Sequence, residues 1–423
     1  MLDIKLLREN PDAVTASEQK RGRDASTVDV VLKLDQKWKK ELKLLEELKH
    51  KRNVVSQEIN QAKKSGKNAA GKINEMRAVV EEIKKKEENV ALLLERRDTT
   101  LQQIGNLLHP KVPKGKDDSE NVELKKWGKK PTLSKYKNHV DLLEALDLVD
   151  FDSSARTSGN GFYVIKNELG LLNQALIQFA MDVMRSKGYT YIEPPLLIRK
   201  NVLGAAIDTK EWSQTIYSVE GEDLALIGTS EHALLGLHTE QALQEKQLPK
   251  KYFCYSMCFR KEIGAHGINE KGLWRTHQFN KVEQFIFCKP EQSEKLFHEL
   301  LQNSEEILQA LRLPYRVIEI CSGDLSLWKH RSYDLEVWRP TTETYGEVMS
   351  LSNCTDYQAR KLGMRVVNND GSREVLHTLN NTALATSRIM VAIIENFQTS
   401  KGTVKLPKVL WPYMKGITEL GKK

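Results

Sequence analysis

Two arginines, two glutamates and a phenylalanine fall at spacings that can gather them on one surface. They occur in Phe259-Arg260-Lys261-Glu262 and in Arg275-Thr276-His277-Gln278-Phe279-Asn280-Lys281-Val282-Glu283. If both segments are strands, side chains alternate between faces, so Arg260 and Glu262 share one face of the first and Arg275, Phe279 and Glu283 one face of the second. One sheet face then carries cations, carboxylates and an aromatic ring. A planar guanidinium suits bidentate contact with phosphate or carboxylate, and a carboxylate can answer an ammonium. A solvated sheet face can hold the same residues, and spacing alone does not choose.

The elements that must position this set follow from pattern. Alternating runs at Tyr252 to Phe259 and Gln278 to Phe287 flank a Gly-rich loop, Ile263 to Leu273, and predict a long hairpin. Further strand-like runs lie at Tyr189 to Ile192 and Tyr315 to Ile320, with an apolar helix near Leu169 to Met184 and a buried helix near Ala385 to Phe397. This mixture predicts an α+β domain with a mostly antiparallel sheet flanked by helices.

Upstream the period changes. After a short helical lead-in, Val31, Leu34, Trp38, Leu45, Leu48, Val55 and Ile59 keep heptad spacing, with Glu41 and Arg52 interrupting. A Gly-containing polar segment follows, then a second seam through Ile73, Met76, Val80, Ile83, Val90, Leu94, Leu101, Ile104 and Leu108, interrupted by Glu87 and Arg97. So short a link allows only an antiparallel hairpin. The expected organisation is an N-terminal domain over 1–109 with a coiled-coil arm at about 28–108, a Pro- and Gly-containing linker over 110–131, and a second domain over 132–423. No other internal repeat stands out.

Composition narrows the class. Apolar residues make 40% of the 423 and charged residues 29%, as in ordinary globular proteins. The net charge of +8 suits a polyanion, although scattered lysines on solvated helices give the same total. Cys254, Cys258, Cys288, Cys321 and Cys354 form neither a paired framework nor a CxxC spacing, which fits a reducing, cytoplasmic setting. A CxxxC on a strand without a nearby His reads as structural, so no zinc is expected. No apolar run is long enough to cross a bilayer, and no membrane or DNA partner is expected.

The joined segments 259–262 and 275–283 resemble motif 2 of class II aminoacyl-tRNA synthetases in its seryl form. Glu193-Pro194-Pro195-Leu196-Leu197 resembles motif 1, although by itself it reads as a strand ending at prolines. Leu379-Asn380-Asn381-Thr382-Ala383-Leu384-Ala385-Thr386-Ser387-Arg388 resembles motif 3, a strand entering a helix, although composition alone reads as a buried helix. Thr229-Ser230-Glu231 resembles the serine-binding TxE loop, although by itself it reads as a helix N-cap. With the paired heptads, the resemblance to seryl-tRNA synthetases spans nearly the whole chain. It implies a homodimer with Pro195 at its interface and an active site on a six- or seven-stranded antiparallel sheet.

The resemblance further implies ATP-dependent activation of L-serine to seryl-adenylate and transfer to tRNA(Ser), and to tRNA(Sec) where present. It puts Arg260 on the α-phosphate and the serine carboxylate, Arg388 on the γ-phosphate, Arg275 near the bent tail, Phe279 against adenine and Glu262 on its amino group. Lys261, Thr276, Val348 and Met349 complete the ATP contacts, and Glu347 and Ser350 hold Mg²⁺. Serine falls to Thr229, Ser230, Glu231, Arg260, Glu283, Asn380 and Thr382. The arm's target is implied to be the long variable arm of tRNA(Ser). The family often reads Glu-Val-Ser-Ser-Cys-Ser where this chain has Glu347-Val348-Met349-Ser350-Leu351-Ser352, so Met349 and Leu351 should alter packing beneath the metal. A non-catalytic tRNA-binding relative would lack an arginine or an acidic ligand, and a plain coiled-coil scaffold leaves the hairpin charges unexplained. A synthetase for another small amino acid is the nearest rival.

Overall fold

The computed structural model describes residues 1–208, 212, 214–263 and 271–421. It divides into two compact units, Met1–Leu107 and Leu108–Lys423.

The first unit opens with α1 (Ile4–Glu9) and α2 (Pro11–Lys20). Asn10 ends one and caps the other by accepting from the Ala13 N–H, and Pro11 at the first helical position sacrifices a donor that would have gone unused. The arm is α3 (Ser26–Lys64) against α4 (Ala70–Leu101). The 39 residues of α3 span about 58 Å at 1.5 Å per residue. Leu45, Val79 and Ile83 form the buried seam, joined by Leu48 and Val90.

The heptad reading errs in phase on the second helix. Val80 is 47% exposed while its neighbour Val79 is 3% exposed. Successive helical residues point about 100° apart, so only one of the two can face α3. The seam also ends early as a helix, because Ile104 and Leu108 lie beyond α4. Two of the polar interruptions, Glu41 and Arg97, are paired across the hairpin. Arg97 donates to Asp35 at 3.1 Å, and Arg8 donates to the same carboxylate at 2.8 and 2.7 Å. Glu41 accepts from Lys86 at 2.6 Å and from Asn89 at 3.1 Å.

In the second unit the strands of the main sheet are β1 (Val122–Trp127), β2 (Thr190–Tyr191), β3 (Lys250–Phe259), β4 (Gln278–Cys288), β5 (Tyr315–Glu319), β6 (Arg331–Arg339), β7 (Thr344–Thr355) and β8 (His377–Ala385). Among the described residues they form one sheet in the order β1-β5-β6-β7-β8-β4-β3-β2. All neighbours are antiparallel except β2 with β3. The resemblance implied six or seven strands; short edge strands make eight. β1 lies in the segment read as a linker and pairs with β5. Of the Gly-rich loop 263–273, residues 264–270 lie outside the described residues.

Period two sorts the sheet into two faces. Val282 and Ile286 of β4, Leu379 and Ala383 of β8, Met349 and Leu351 of β7, and Leu335 and Val337 of β6 enter the main core. That core includes α5 (Asn167–Ser186), α6 (Ser293–Ala310) and α7 (Thr386–Phe397). Burying a leucine or valine of this kind contributes about 1.5 to 3 kcal/mol. Met349 and Leu351, where the chain departs from the family pattern, are therefore core residues on the helix-covered face.

Candidate active site

The opposite face of the same strands carries polar groups. β4 presents Phe279, Lys281 and Glu283, β8 presents Asn380 and Thr382, β7 presents Ser350 and Ser352, with Val348 reaching both this face and the main core, and β6 presents Asp334. All line one cavity of about 370 Å³. Register brings them together: Glu283 pairs with Thr382, Ser352 with Asn380, and Ser350 with Asp334. Glu347 has the wrong parity for this face, yet it lines the cavity too. The register shift between Glu347 and Met349 accounts for that, since a bulge re-aims the residue beside it.

Arg260, Glu262 and Arg275 reach the cavity by a different route from the one the alternation predicted. β3 ends at Phe259 and β4 begins at Gln278, so all three stand outside the strands. Glu262, three residues past the end of β3, has φ of 51°, in the left-handed region that a side chain rarely adopts. Arg260 donates through Nε to the Gly228 carbonyl at 2.9 Å, and its guanidinium lies 5.3 Å from the Phe279 ring centre. The Gly228 N–H donates in turn to His232 Nδ1 at 3.3 Å. Burial, reinforced by the charges of Arg260 and Lys281, keeps His232 neutral. Arg275 and Glu262 pair with each other at 2.9 Å.

Arg388 comes from the first turn of α7 and bonds the Glu347 carbonyl at 2.7 Å and its carboxylate at 3.1 Å. It also donates to the Trp274 carbonyl at 3.3 Å. Burial would raise the Glu347 carboxyl, but the charge and hydrogen bond of Arg388 outweigh it and hold the group low. Asp334 goes the other way. Burial first, then the Glu347 charge, pushes it up to about 7, and Ser350 donates to it. Its Oδ1 is buried with no hydrogen-bond partner among the described residues. Glu347, Ser350 and this orphaned oxygen are hard donors that fit a magnesium ion. No group of three or more His, Cys, Asp or Glu converges among the described residues. Magnesium suits such a site, because it commonly rests on one or two carboxylates plus substrate phosphates.

At the other end, Thr229 caps the helix Ser230–Gly236, accepting from the Glu231 N–H at 3.2 Å, and lines the cavity as well. Thr229 Oγ1 accepts from Lys281 Nζ at 2.5 Å, and Lys281 also meets Glu283 at 2.5 Å. Burial drives the Glu283 carboxyl upward, opposed by the charge and hydrogen bond of Lys281. Thr382 donates to Glu283 at 3.4 Å, and Glu231 accepts from Gln358 at 3.0 Å.

Of the residues singled out in the sequence, Thr229, Glu231, Arg260, Glu262, Arg275, Thr276, Phe279, Glu283, Glu347, Val348, Ser350, Asn380, Thr382 and Arg388 line the cavity. Four do not. Ser230 is buried with its hydroxyl 2.5 Å from that of Ser256, and Met349 is in the core. Lys261 lies 5.8 Å from the Tyr217 ring, and Pro195 is exposed. The sequence reading missed Lys281, His232, Asp334 and Trp274. Lys281 carried a signal, since it sits at period two between Phe279 and Glu283; Asp334 carried none.

Two family models match the chain: the seryl-tRNA synthetase N-terminal domain over residues 1–108, and the class II tRNA synthetase core domain (G, H, P, S and T) over 215–397. A serine–tRNA ligase of Pyrococcus horikoshii is 42% identical, covering 98% of this chain and 96% of the relative. One from Methanoculleus marisnigri is 43% identical over 98% and 99%. The crystal structure of seryl-tRNA synthetase from Pyrococcus horikoshii complexed with ATP superposes with a TM-score of 0.94 at 42% identity, covering 99% of each chain. That of the cytoplasmic serine–tRNA ligase of Naegleria fowleri in complex with AMP gives 0.91 at 33%, covering 99% of this chain and 98% of the other.

Proposed function

The chain belongs to the seryl-tRNA synthetase family and is a serine–tRNA ligase that uses ATP, and from that premise we propose how its own residues carry the reaction. The serine carboxylate attacks the α-phosphorus of ATP, the bond to the β-phosphate oxygen breaks, and pyrophosphate leaves with that electron pair. The resulting seryl-adenylate is then attacked by the terminal ribose hydroxyl of tRNA(Ser), releasing AMP. Catalysis of the first step consists mainly of alignment and neutralisation of growing phosphate charge.

Arg260 binds the α-phosphate and the serine carboxylate. Its bond to the Gly228 carbonyl supports this, because it fixes the guanidinium before substrate arrives. Arg388 binds the γ-phosphate and Arg275 the bent tail, Phe279 stacks on adenine, and Glu262 accepts from the adenine amino group. Lys261 and the backbone at Thr276, Val348 and Met349 complete the nucleotide contacts. Glu347 and Ser350 hold the Mg²⁺ that accompanies ATP; when bound, it supplies positive charge to the phosphate oxygens. The buried Oδ1 of Asp334, with no hydrogen-bond partner among the described residues, supports a cation there. Serine lies between Thr229, Glu231 and Glu283 on one side and Asn380 and Thr382 on the other, with Ser230 shaping the loop from behind.

The protein acts in the cytoplasm as a homodimer with Pro195 at the interface, and the exposure of Pro195 on the single chain is consistent with that role. Residues 1–109 bind tRNA, the arm meets the long variable arm of tRNA(Ser), and residues 132–423 carry out catalysis. tRNA(Sec) is a second substrate where present.

The observation that carries this reading is the convergence in one cavity of Arg260, the Glu347–Arg388 pair, Phe279 and the hydroxyl-bearing end at Thr229 and Thr382. Exchange of pyrophosphate into ATP, measured with serine, threonine, alanine and glycine, tests it. Exchange should be strong with serine alone, and Arg260→Ala should lower it on the order of 10²-fold or more with the fold intact. Wild-type rates in that variant would remove Arg260 from the site.

A further inference from the structure

Two carboxylates face the amino-acid end of the cavity, and they differ in one respect. Glu231 accepts a hydrogen bond from neutral Gln358, and among the described residues no cation pairs with it. Glu283 is only 1% exposed and is matched at 2.5 Å by Lys281, itself 6% exposed. A buried carboxylate already neutralised at contact distance has little attraction left for a second cation, and bringing an ammonium beside Lys281 sets like charges together in a poorly screened site.

The same lysine fixes the direction of two hydroxyls. Thr229 Oγ1 accepts from Lys281 at 2.5 Å and from the Glu231 N–H at 3.2 Å, so its oxygen lone pairs are taken and its proton is available to the cavity. Thr382 gives its proton to Glu283 at 3.4 Å, which leaves its oxygen as an acceptor. A donor and an acceptor therefore stand at the wall where Lys281 and Glu283 meet. A side-chain hydroxyl can satisfy both, accepting from Thr229 and donating to Thr382.

We propose that Lys281 is a specificity-determining residue: by neutralising Glu283 and orienting Thr229 and Thr382, it reserves that wall for a neutral hydroxyl and directs the amino-acid ammonium to Glu231. This rests on the reading of the cavity as the serine site. Lys281 need not touch the amino acid; it acts through Glu283 and the two threonines.

L-2,3-diaminopropionate, which replaces the serine hydroxyl with an amine that ionises, is the discriminating probe. Exchange of pyrophosphate into ATP should be measured with serine and with this analogue in the wild type, Lys281→Met and Lys281→Arg, with the ATP KM recorded each time. Lys281→Met exposes Glu283 to the analogue's side-chain ammonium. The preference for serine, as a ratio of kcat/KM, should fall by about tenfold or more, in keeping with the cost of unpairing a buried charge. The ATP KM should stay unchanged, and Lys281→Arg should keep the wild-type preference. Lys281→Gln can still bridge Thr229 and Glu283 by hydrogen bonds; it should shift in the same direction as Lys281→Met and guards against misfolding of that variant. Equal loss for both amino acids in Lys281→Gln, or the same shift in Lys281→Arg, would overturn the proposal. Failure of the wild type to exchange with serine would instead reject the site itself, so the two failures are distinguishable.

Discussion

Thr382 shows how much a single hydroxyl can be asked to do. Its donor contact to Glu283 leaves one acceptor for a substrate hydroxyl, and Thr382→Val keeps the shape while removing that acceptor. A hydroxyl left poorly paired costs about 1 to 3 kcal/mol, so selectivity for serine over alanine should fall by roughly tenfold. Comparing kcat/KM for the two amino acids checks it, and unchanged selectivity moves hydroxyl recognition elsewhere. His377 makes a prediction about pH. Burial lowers its pKa from 6.5 to about 4, against the opposing charge of Asp356. Its Nδ1 has no hydrogen-bond partner among the described residues. The folded state thus keeps His377 neutral while the unfolded chain takes up a proton below 6.5. The penalty is absent above that pH and grows as pH falls toward 4, to at most about 3 kcal/mol. The thermal midpoint of the catalytic unit should drop over this range, and His377→Gln should flatten the drop; an equally steep profile in the variant would assign it to other groups. The place of Thr382 beside serine was already implied by the resemblance, whereas the titration of His377 was not legible in the sequence. His377, half-buried at the start of β8, stands next to the motif 3 segment with nothing in the sequence to mark its partial burial, which decides its titration.

At the scale of elements, the cavity depends on where strands stop and bulge. Gly346 precedes the bulge at Glu347, and a Cβ there would lie 2.4 Å from the Trp274 ring. Trp274 in turn takes a hydrogen bond from Arg388 and lies 4.2 Å from the Arg339 guanidinium. Gly346→Ala must displace the ring and with it the cradle of Arg388. Its ATP KM should rise several-fold, on the order of 1 kcal/mol, with the serine KM changing less. Steady-state kinetics with each substrate varied in turn would expose the opposite pattern. Period two located Phe279 and Glu283 correctly because they lie inside β4. The same rule did not reach Arg260, Glu262 and Arg275, because β3 ends at Phe259 and β4 begins at Gln278, which leaves all three outside the strands. In the arm, the heptads gave the pairing of α3 with α4 but chose Val80 over Val79, since adjacent valines fit two phases equally well.

For the whole molecule, charge separates the two helices of the arm. Residues 28–64 hold 10 Lys or Arg against 6 Asp or Glu, whereas 73–108 hold 6 against 7. A basic rod gives affinity for a phosphate backbone that falls with salt, and recognition of folded RNA rests largely on shape. The cavity is built wholly within the second unit. Replacing Lys37 to Arg97 by a short Gly-Ser turn should therefore leave serine-dependent exchange within about threefold, yet lower charging of tRNA(Ser) by roughly 10²-fold or more. Equal charging by the armless protein would reduce the arm to a spacer.

The sequence by itself determined the class of the molecule: heptads in one stretch, alternation in another, and motif residues that keep the same spacing across a family. These are local signals, readable because helix and strand periods are short and a motif is a fixed run of letters. The tertiary structure alone decided which residues share a wall. Asp334 comes to Ser350, Lys281 to Thr229, and β1 to the edge of the sheet through contacts between segments far apart in sequence. Strand order, register and the irregularities that shift it set such contacts, and these are properties of the packed sheet rather than of any one strand.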